Sequence, residues 1–155
     1  MQLNYYHIAT KDDAKLIKDG KSIVKAALVE SPWSNGEIDE KSIDLLIKLF
    51  LEFPDPKERG LFIAMDGPLY VGLLAAIVNH GSLVKQANEL MWNVLPDYRK
   101  QGVGLNLMQM YADWALSLGI KKVTMSHYGK DMGLKKFYED NGFKQTEITY
   151  VKDLD

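Results

Sequence analysis

Short apolar and aromatic runs alternate along this chain with longer stretches whose apolar residues return at helical spacing, and Gly, Pro, Asn and Asp cluster between them. Residues 3–8 are short and aromatic-rich, as a first strand would be, and lead into Thr10, a helix cap, with Asp13 in the first turn. Ala14, Ile17, Ile23, Val24, Ala27 and Leu28 then follow helical spacing, with Gly20 weakening the middle. Residues 31–36 carry loop chemistry, and Ile43, Leu46, Ile47, Phe50 and Leu51 form the apolar face of a second helix that Pro54 and Pro56 stop.

Residues 61–65 and 70–78 are apolar strands on either side of Asp66-Gly67-Pro68, which predicts an antiparallel hairpin closed by Asn79-His80-Gly81. Residues 89–95 form another strand. Val103, Leu107, Met110, Tyr111, Trp114 and Leu118 trace one side of a long helix ending at Gly119. Residues 122–126 predict a strand, residues 134–139 a short helix closed by Asn141-Gly142, and residues 143–151 a last strand. This order implies an α+β domain, a mixed sheet with helices on its faces. No repeat or linker interrupts it, so residues 1–155 are expected to form a single domain.

Composition narrows the chemistry. Hydrophobic residues at 46% and charged residues at 26% are those of a globular chain. With 19 basic against 21 acidic residues the net charge is -2, which offers no field to a nucleic acid or an anionic membrane, and neither is expected as a partner. The absence of cysteine rules out disulfides, thiolate metal sites and a cysteine nucleophile. The longest apolar run, residues 70–78, is too short to span a bilayer, and the N-terminus has no basic start followed by an apolar stretch, so a cytoplasmic protein is expected. His7, His80 and His127 are isolated without ligand spacing, and no metal is expected.

The run Val94-Leu95-Pro96-Asp97-Tyr98-Arg99-Lys100-Gln101-Gly102-Val103-Gly104-Leu105 joins a strand to the long helix with two glycines at the turn. Such a helix start has unpartnered N–H groups and the positive end of the macrodipole, so it suits an anion, and Arg99 and Lys100 add charge there. Two glycines also suit a tight strand-to-helix connection with no ligand. No Lys-Ser/Thr follows the second glycine, and no third glycine completes a dinucleotide fingerprint, which weakens a P-loop and a Rossmann reading.

With Arg99, Gly102 and Gly104 behind Val94-x-Pro96, the chain resembles the GCN5-related N-acetyltransferase (GNAT) family, whose signature is Arg/Gln-x-x-Gly-x-Gly/Ala after a strand ending in Val-x-Pro. Ile8-Ala9-Thr10-Lys11-Asp12-Asp13 looks like the family's N-terminal opening, and Phe137-Tyr138-Glu139-Asp140-Asn141-Gly142-Phe143 looks like its late tyrosine element. The resemblance implies a three-layer α/β/α fold, a mixed, mostly antiparallel sheet flanked by about four helices. It implies acetyl transfer from acetyl coenzyme A to a primary amine of a small molecule or a protein, with no metal, by a monomer or homodimer. The pantetheine arm would bond to the backbone at Trp92, Asn93 and Val94, and the pyrophosphate would lie on the turn formed by Arg99, Lys100, Gln101, Gly102, Val103, Gly104 and Leu105.

An alkylammonium must lose a proton before it attacks, since its ordinary pKa is about 10.4. Glu89, on the strand that would carry the pantetheine, is the candidate base, against the plainer reading of a solvent-facing strand residue. Tyr138 is the candidate general acid for the leaving thiolate, against a core tyrosine beside Phe137. His127 is a reserve base. Where many relatives carry a cofactor-binding Asn, this chain has Asp131, which suits a helix cap better. Trp33 is a candidate substrate contact, and Glu30, Glu37, Asp39, Glu40 and Asp44 make the acceptor-selecting region acidic. A coenzyme A binding module without catalysis is the alternative.

Overall fold

The computed structural model describes residues 1–29, 38–128 and 131–154. The loop expected at residues 31–36, with Trp33, Glu30 and Glu37, lies outside the described residues. The chain divides into two compact units, Met1–Thr124 and Met125–Asp155.

The first unit is built on a five-stranded sheet in which chain order and spatial order coincide: β1 (Leu3–His7), β2 (Arg59–Asp66), β3 (Leu69–Asn79), β4 (Gln86–Val94) and β5 (Val123–Thr124). The first four strands pair antiparallel and β5 runs parallel to β4, so the sheet is mixed. β2 and β3 are buried on both faces, which is why they read as nearly continuous apolar runs. Their two-residue turn depends on Gly67 at φ +56°, a conformation that a side chain disfavours.

Alternate residues of these strands serve two cores. On one face Leu61, Ile63, Leu73 and Ala75 pack with Ile8 and Phe50 beneath α1 (Lys11–Ala14), α2 (Gly20–Val29) and α3 (Glu40–Ile47). On the other, Phe62 meets Trp114 edge-on at 6.0 Å, and α4 (Val103–Ser117) buries Val103, Leu107, Met108, Tyr111, Trp114 and Ala115. The expected three layers are present, with Met108 taking the buried position assigned to Met110.

The first helix divides where a single one was expected. Thr10 and Asp13 form the reciprocal capping box of α1, with the Asp13 N–H donating to Thr10 Oγ1 at 3.1 Å and the Thr10 N–H to Asp13 Oδ2 at 2.9 Å. α2 then restarts at Gly20, where Asp19 Oδ1 accepts from the Ser22 N–H at 3.1 Å. A Cβ at Gly20 would come within 2.8 Å of Ile47 and Leu51, so glycine lets α2 pass close to α3. α3 widens into a single π-helical turn, Lys48–Glu52, before Pro54. Arg59 closes that turn by donating from Nε to the Leu49 carbonyl at 3.0 Å and from Nη2 to the Phe53 carbonyl at 2.8 Å.

The second unit holds α5 (Met132–Asp140). Gly142 at φ +85° ends it in a Schellman motif: the Phe143 N–H donates to the Tyr138 carbonyl at 3.0 Å and the Gly142 N–H to the Glu139 carbonyl at 3.2 Å. The accompanying apolar contact is Tyr138 on Phe143, at 5.6 Å between ring centres. The last strand expected at residues 143–151 is absent. Ile148 and Tyr150, which an alternating strand would bury together, are 65% and 89% exposed, and the ladder ends at β5.

Candidate active site

Among the described residues, β4 pairs with β5 at its start. β5 matches Ala87 with Val123 and Asn88 with Thr124, and a side-chain chain fixes that end: Asn79 donates to Asn88 at 2.8 Å and Asn88 to Thr124 Oγ1 at 2.7 Å. From Glu89 to Val94 the ladder gives β4 only β3 as a partner among the described residues. Register slips by one residue at Leu90, a bulge beside Glu89 that no local residue pattern signals.

Beyond Val94 the chain makes one tight turn, Pro96–Tyr98, and enters α4. Tyr98 is tied down by donating to Asp66 Oδ2 at 2.7 Å, while Asp66 Oδ1 takes the Gln2 N–H at 2.7 Å. The Gln2 bond foremost, then Tyr98, holds the Asp66 carboxyl below the usual range. Sequence reasoning missed this anchor, because nothing local links a hairpin aspartate to a tyrosine 32 residues on. Arg99 turns back and donates from Nε to the Val94 carbonyl at 2.7 Å, and Gln101 donates to the Asp97 carbonyl at 2.7 Å, so both side chains brace the loop. Lys100 takes φ +63°, rare for a residue with a side chain.

The two glycines have different reasons. Gly102 sits at φ +83° with open space where a Cβ would stand, and as the N-cap of α4 it brings no side chain to cap the helix. The first-turn N–H groups of Val103, Gly104 and Leu105 have no acceptor within the helix. At Gly104 a Cβ would lie 2.8 Å from Trp92 Cζ2, so this glycine answers to the β4–α4 contact. A helix start with open space at Gly102 suits an anionic group.

Glu89 is partly exposed further back on β4, in register with Ala76. Burial raises the Tyr111 hydroxyl on α4; its bond to the Thr124 carbonyl at 3.1 Å works against this, and the Glu89 charge adds to the rise. The carboxylate thus stands near the point where β5 leaves the ladder. Trp92, Asn93 and Val94 continue the strand toward the turn, so one unit brings together Glu89, the three strand residues and the turn from Arg99 to Leu105.

Asp131 and Tyr138 lie in the second unit. Asp131 Oδ1 accepts from the Leu134 N–H at 3.0 Å and caps α5, the role its chemistry favoured. Tyr138 is buried and donates to the Ser126 carbonyl at 2.7 Å, with His127 and Phe143 beside its ring. His127 Nδ1 sits 2.8 Å from the Tyr128 carbonyl, His80 pairs with Glu58 at 2.7 Å, and His7 lies against Phe62. The acidic residues of the helical region are already engaged: Asp39 caps α3, Glu40 pairs with Lys25 at 2.8 Å and Asp44 with Lys21 at 2.9 Å. Among the described residues no helix is long and apolar enough to cross a membrane.

Residues 26–143 match the family model described as the acetyltransferase (GNAT) family. No curated protein sequence matches. Solved structures share the fold: the aminoglycoside acetyltransferase AAC(6')-Iy bound to CoA-S-monomethyl-acetylneamine is 17% identical, with a TM-score of 0.75 over 99% of this chain and 100% of that one. A ribosomal-protein-alanine N-acetyltransferase from Brucella melitensis biovar Abortus 2308 is 14% identical, with a TM-score of 0.66 over 99% and 100% of the two chains. A transcriptional regulator from Bacillus halodurans C-125 is 19% identical, with a TM-score of 0.72 over 99% and 100%.

Proposed function

The chain belongs to the acetyltransferase (GNAT) family, and from that premise we propose a single-domain cytoplasmic N-acetyltransferase that acetylates a primary amine, with Glu89 as base and Tyr138 as acid. Its acyl donor is acetyl coenzyme A, which brings an already activated acyl group, so no covalent enzyme intermediate is needed. The observation that carries the reading is the start of α4 at Gly102, which takes φ +83° with open space where a Cβ would stand, one tight turn beyond β4.

The strand edge and the α4 start hold the donor, Trp92, Asn93 and Val94 through backbone groups and the turn through the amides of Lys100, Gln101, Gly102, Val103, Gly104 and Leu105. Arg99 keeps the turn in shape through the Val94 carbonyl. Glu89 removes a proton from the acceptor ammonium, directly or through water, and the freed nitrogen attacks the thioester carbonyl. Backbone N–H groups near Asn93 and Val94 stabilise the charge that builds on that oxygen, a contribution of about 3 kcal/mol per donor at comparable sites. As the carbon–sulfur bond breaks, Tyr138 exchanges its bond to the Ser126 carbonyl for proton donation to the leaving sulfur, and the proton shed by the new amide nitrogen passes through water to restore the phenol.

One observation favours a second reading, a coenzyme A binding module without turnover. Tyr138 and Asp131 both have structural duties, the first in the Schellman contact and the second as a cap. The test is acetyl-coenzyme-A-dependent thiol release across small amines, polyamines, aminoglycosides and peptides. Turnover that falls in Tyr138→Phe, which keeps the ring and its packing, supports catalysis. Tight coenzyme A binding with no thiol release on any amine establishes the module instead.

A further inference from the structure

The stretch that enters α4 holds an unfavourable backbone shape. After the Pro96–Tyr98 turn it places Lys100 at φ +63° and Gly102 at φ +83°. A lysine in that region is disfavoured by its own Cβ, so contacts around it must hold it there. Three side chains supply them. Arg99 reaches back to the Val94 carbonyl and Gln101 to the Asp97 carbonyl, both within the stretch. Tyr98 reaches out of it, donating to Asp66 Oδ2 at 2.7 Å across 32 residues of chain.

Asp66 is fixed from its other side. Its Oδ1 accepts from the Gln2 N–H at 2.7 Å, the Gly67 N–H donates to the Gln2 carbonyl at 3.2 Å, and Leu3 stands opposite Asp66 in the β1–β2 ladder. One carboxylate thereby joins the first strand, the β2–β3 hairpin and the turn before α4. Its charge works against that place. The Gln2 and Tyr98 bonds hold the carboxyl below its ordinary range, so it is ionised at neutral pH, and an anion near a turn that receives a diphosphate repels it. Electrostatics alone would put a lysine or arginine here. The use of the carboxylate therefore lies in what it accepts, and a charged acceptor holds a phenol more firmly than a neutral one.

We propose that Asp66 is a positioning residue for coenzyme A: through Tyr98 it holds the turn from Arg99 to Leu105 in the shape that receives the diphosphate, and through Gln2 it ties that shape to the first strand. This role rests on the acetyltransferase reading above.

The test measures coenzyme A affinity by titration calorimetry on variants whose urea stability is followed alongside. Tyr98→Phe keeps the ring, loses the hydroxyl and should weaken coenzyme A about five- to ten-fold. Asp66→Ala should weaken it at least as much, and the double variant should match Asp66→Ala because the shared bond is already gone. Asp66→Asn can accept the Gln2 N–H on its amide oxygen and donate to the Tyr98 hydroxyl from its nitrogen, so it should stay within about two-fold of the wild type. Gly67→Ala strains the same hairpin at φ +56° and spares the carboxylate; it should lower urea stability and leave affinity within about two-fold. Tighter binding in Asp66→Ala would mean that the carboxylate acts by charge alone and overturns the proposal. So does a loss in Gly67→Ala as large as that in Tyr98→Phe, which marks a structural effect only. Tyr98→Phe decides the matter if Asp66→Ala fails to fold: wild-type binding that this variant leaves untouched sinks the positioning role and spares the acetyltransferase reading. A wild-type protein that binds no coenzyme A sinks that reading and the positioning role with it.

Discussion

Replacing Gly104 by alanine should expose how tightly α4 is pressed onto β4. Gly104 lies in helical backbone, where alanine ordinarily gains about 1 kcal/mol over glycine. Here the new methyl would stand 2.8 Å from Trp92 Cζ2, with Cε2 at 3.5 Å and Cη2 at 3.7 Å behind it. An ordinary carbon contact is about 3.5 Å, so the methyl intrudes by roughly 0.7 Å into the flat of a ring. Overpacking of this kind costs about 1–3 kcal/mol, which cancels or outweighs the propensity gain. Phenylalanine at position 92 lacks the outer indole atoms, so in Trp92→Phe the same Gly104→Ala change should turn stabilising. The assay is a double-mutant cycle by urea denaturation, and the expected coupling is about 1–3 kcal/mol in favour of the double variant. Gly104→Ala alone should also weaken coenzyme A binding, because relieving the clash moves Trp92 and with it the β4 edge. Additivity within about 0.5 kcal/mol would show that Gly104 is there for the ligand and not for Trp92.

Other consequences are independent of that contact. Gly102→Ala places a side chain at φ +83° in open space, so it should cost about 1–2 kcal/mol of stability without any packing clash, and reduce coenzyme A affinity by closing the approach to the α4 amides. Asp131→Ala should lose about 1 kcal/mol through the Leu134 N–H, whereas Asp131→Asn should hold stability in urea titrations because asparagine caps equally well. His7 is lowered by burial, partly offset by Asp13. Its unfolded form therefore binds the proton more readily, so its share of stability is full above the ordinary pKa of about 6.5 and drains away as pH falls through the lowered native value. His7→Phe should flatten the loss of urea stability measured from about pH 7 to pH 5; an unchanged slope would place the titration elsewhere.

Elements governed by local chemistry were legible in the sequence. The Asp66-Gly67-Pro68 turn, the capping pair Thr10 and Asp13, and the apolar stripe of α4 up to Gly119 each carry their cause within a few residues. What stayed hidden depends on partners far along the chain. Gly20 starts a helix because Ile47 and Leu51 crowd it, and the π turn persists because Arg59 takes its carbonyls. The bulge at Leu90 follows from β3 register. The apolar residues near the C-terminus alternate as a strand would, yet a strand requires a neighbour, and no ladder forms there. At the candidate site the glycine turn was recognisable, but the reason for each glycine was not: Gly102 answers to its dihedral angle and Gly104 to Trp92. Tyr138 stood out as a motif residue, and the structure adds that it is also the C3 partner of Phe143.

On the proposed reading, the end of β4 and the start of α4 together hold coenzyme A. Titrating the ¹⁵N-labelled protein with coenzyme A while following backbone amides tests it directly. Saturable binding with the largest shifts at Trp92, Asn93 and Val94 and from Lys100 to Leu105 is predicted. No binding, or shifts confined to residues away from that strand and turn, contradicts it.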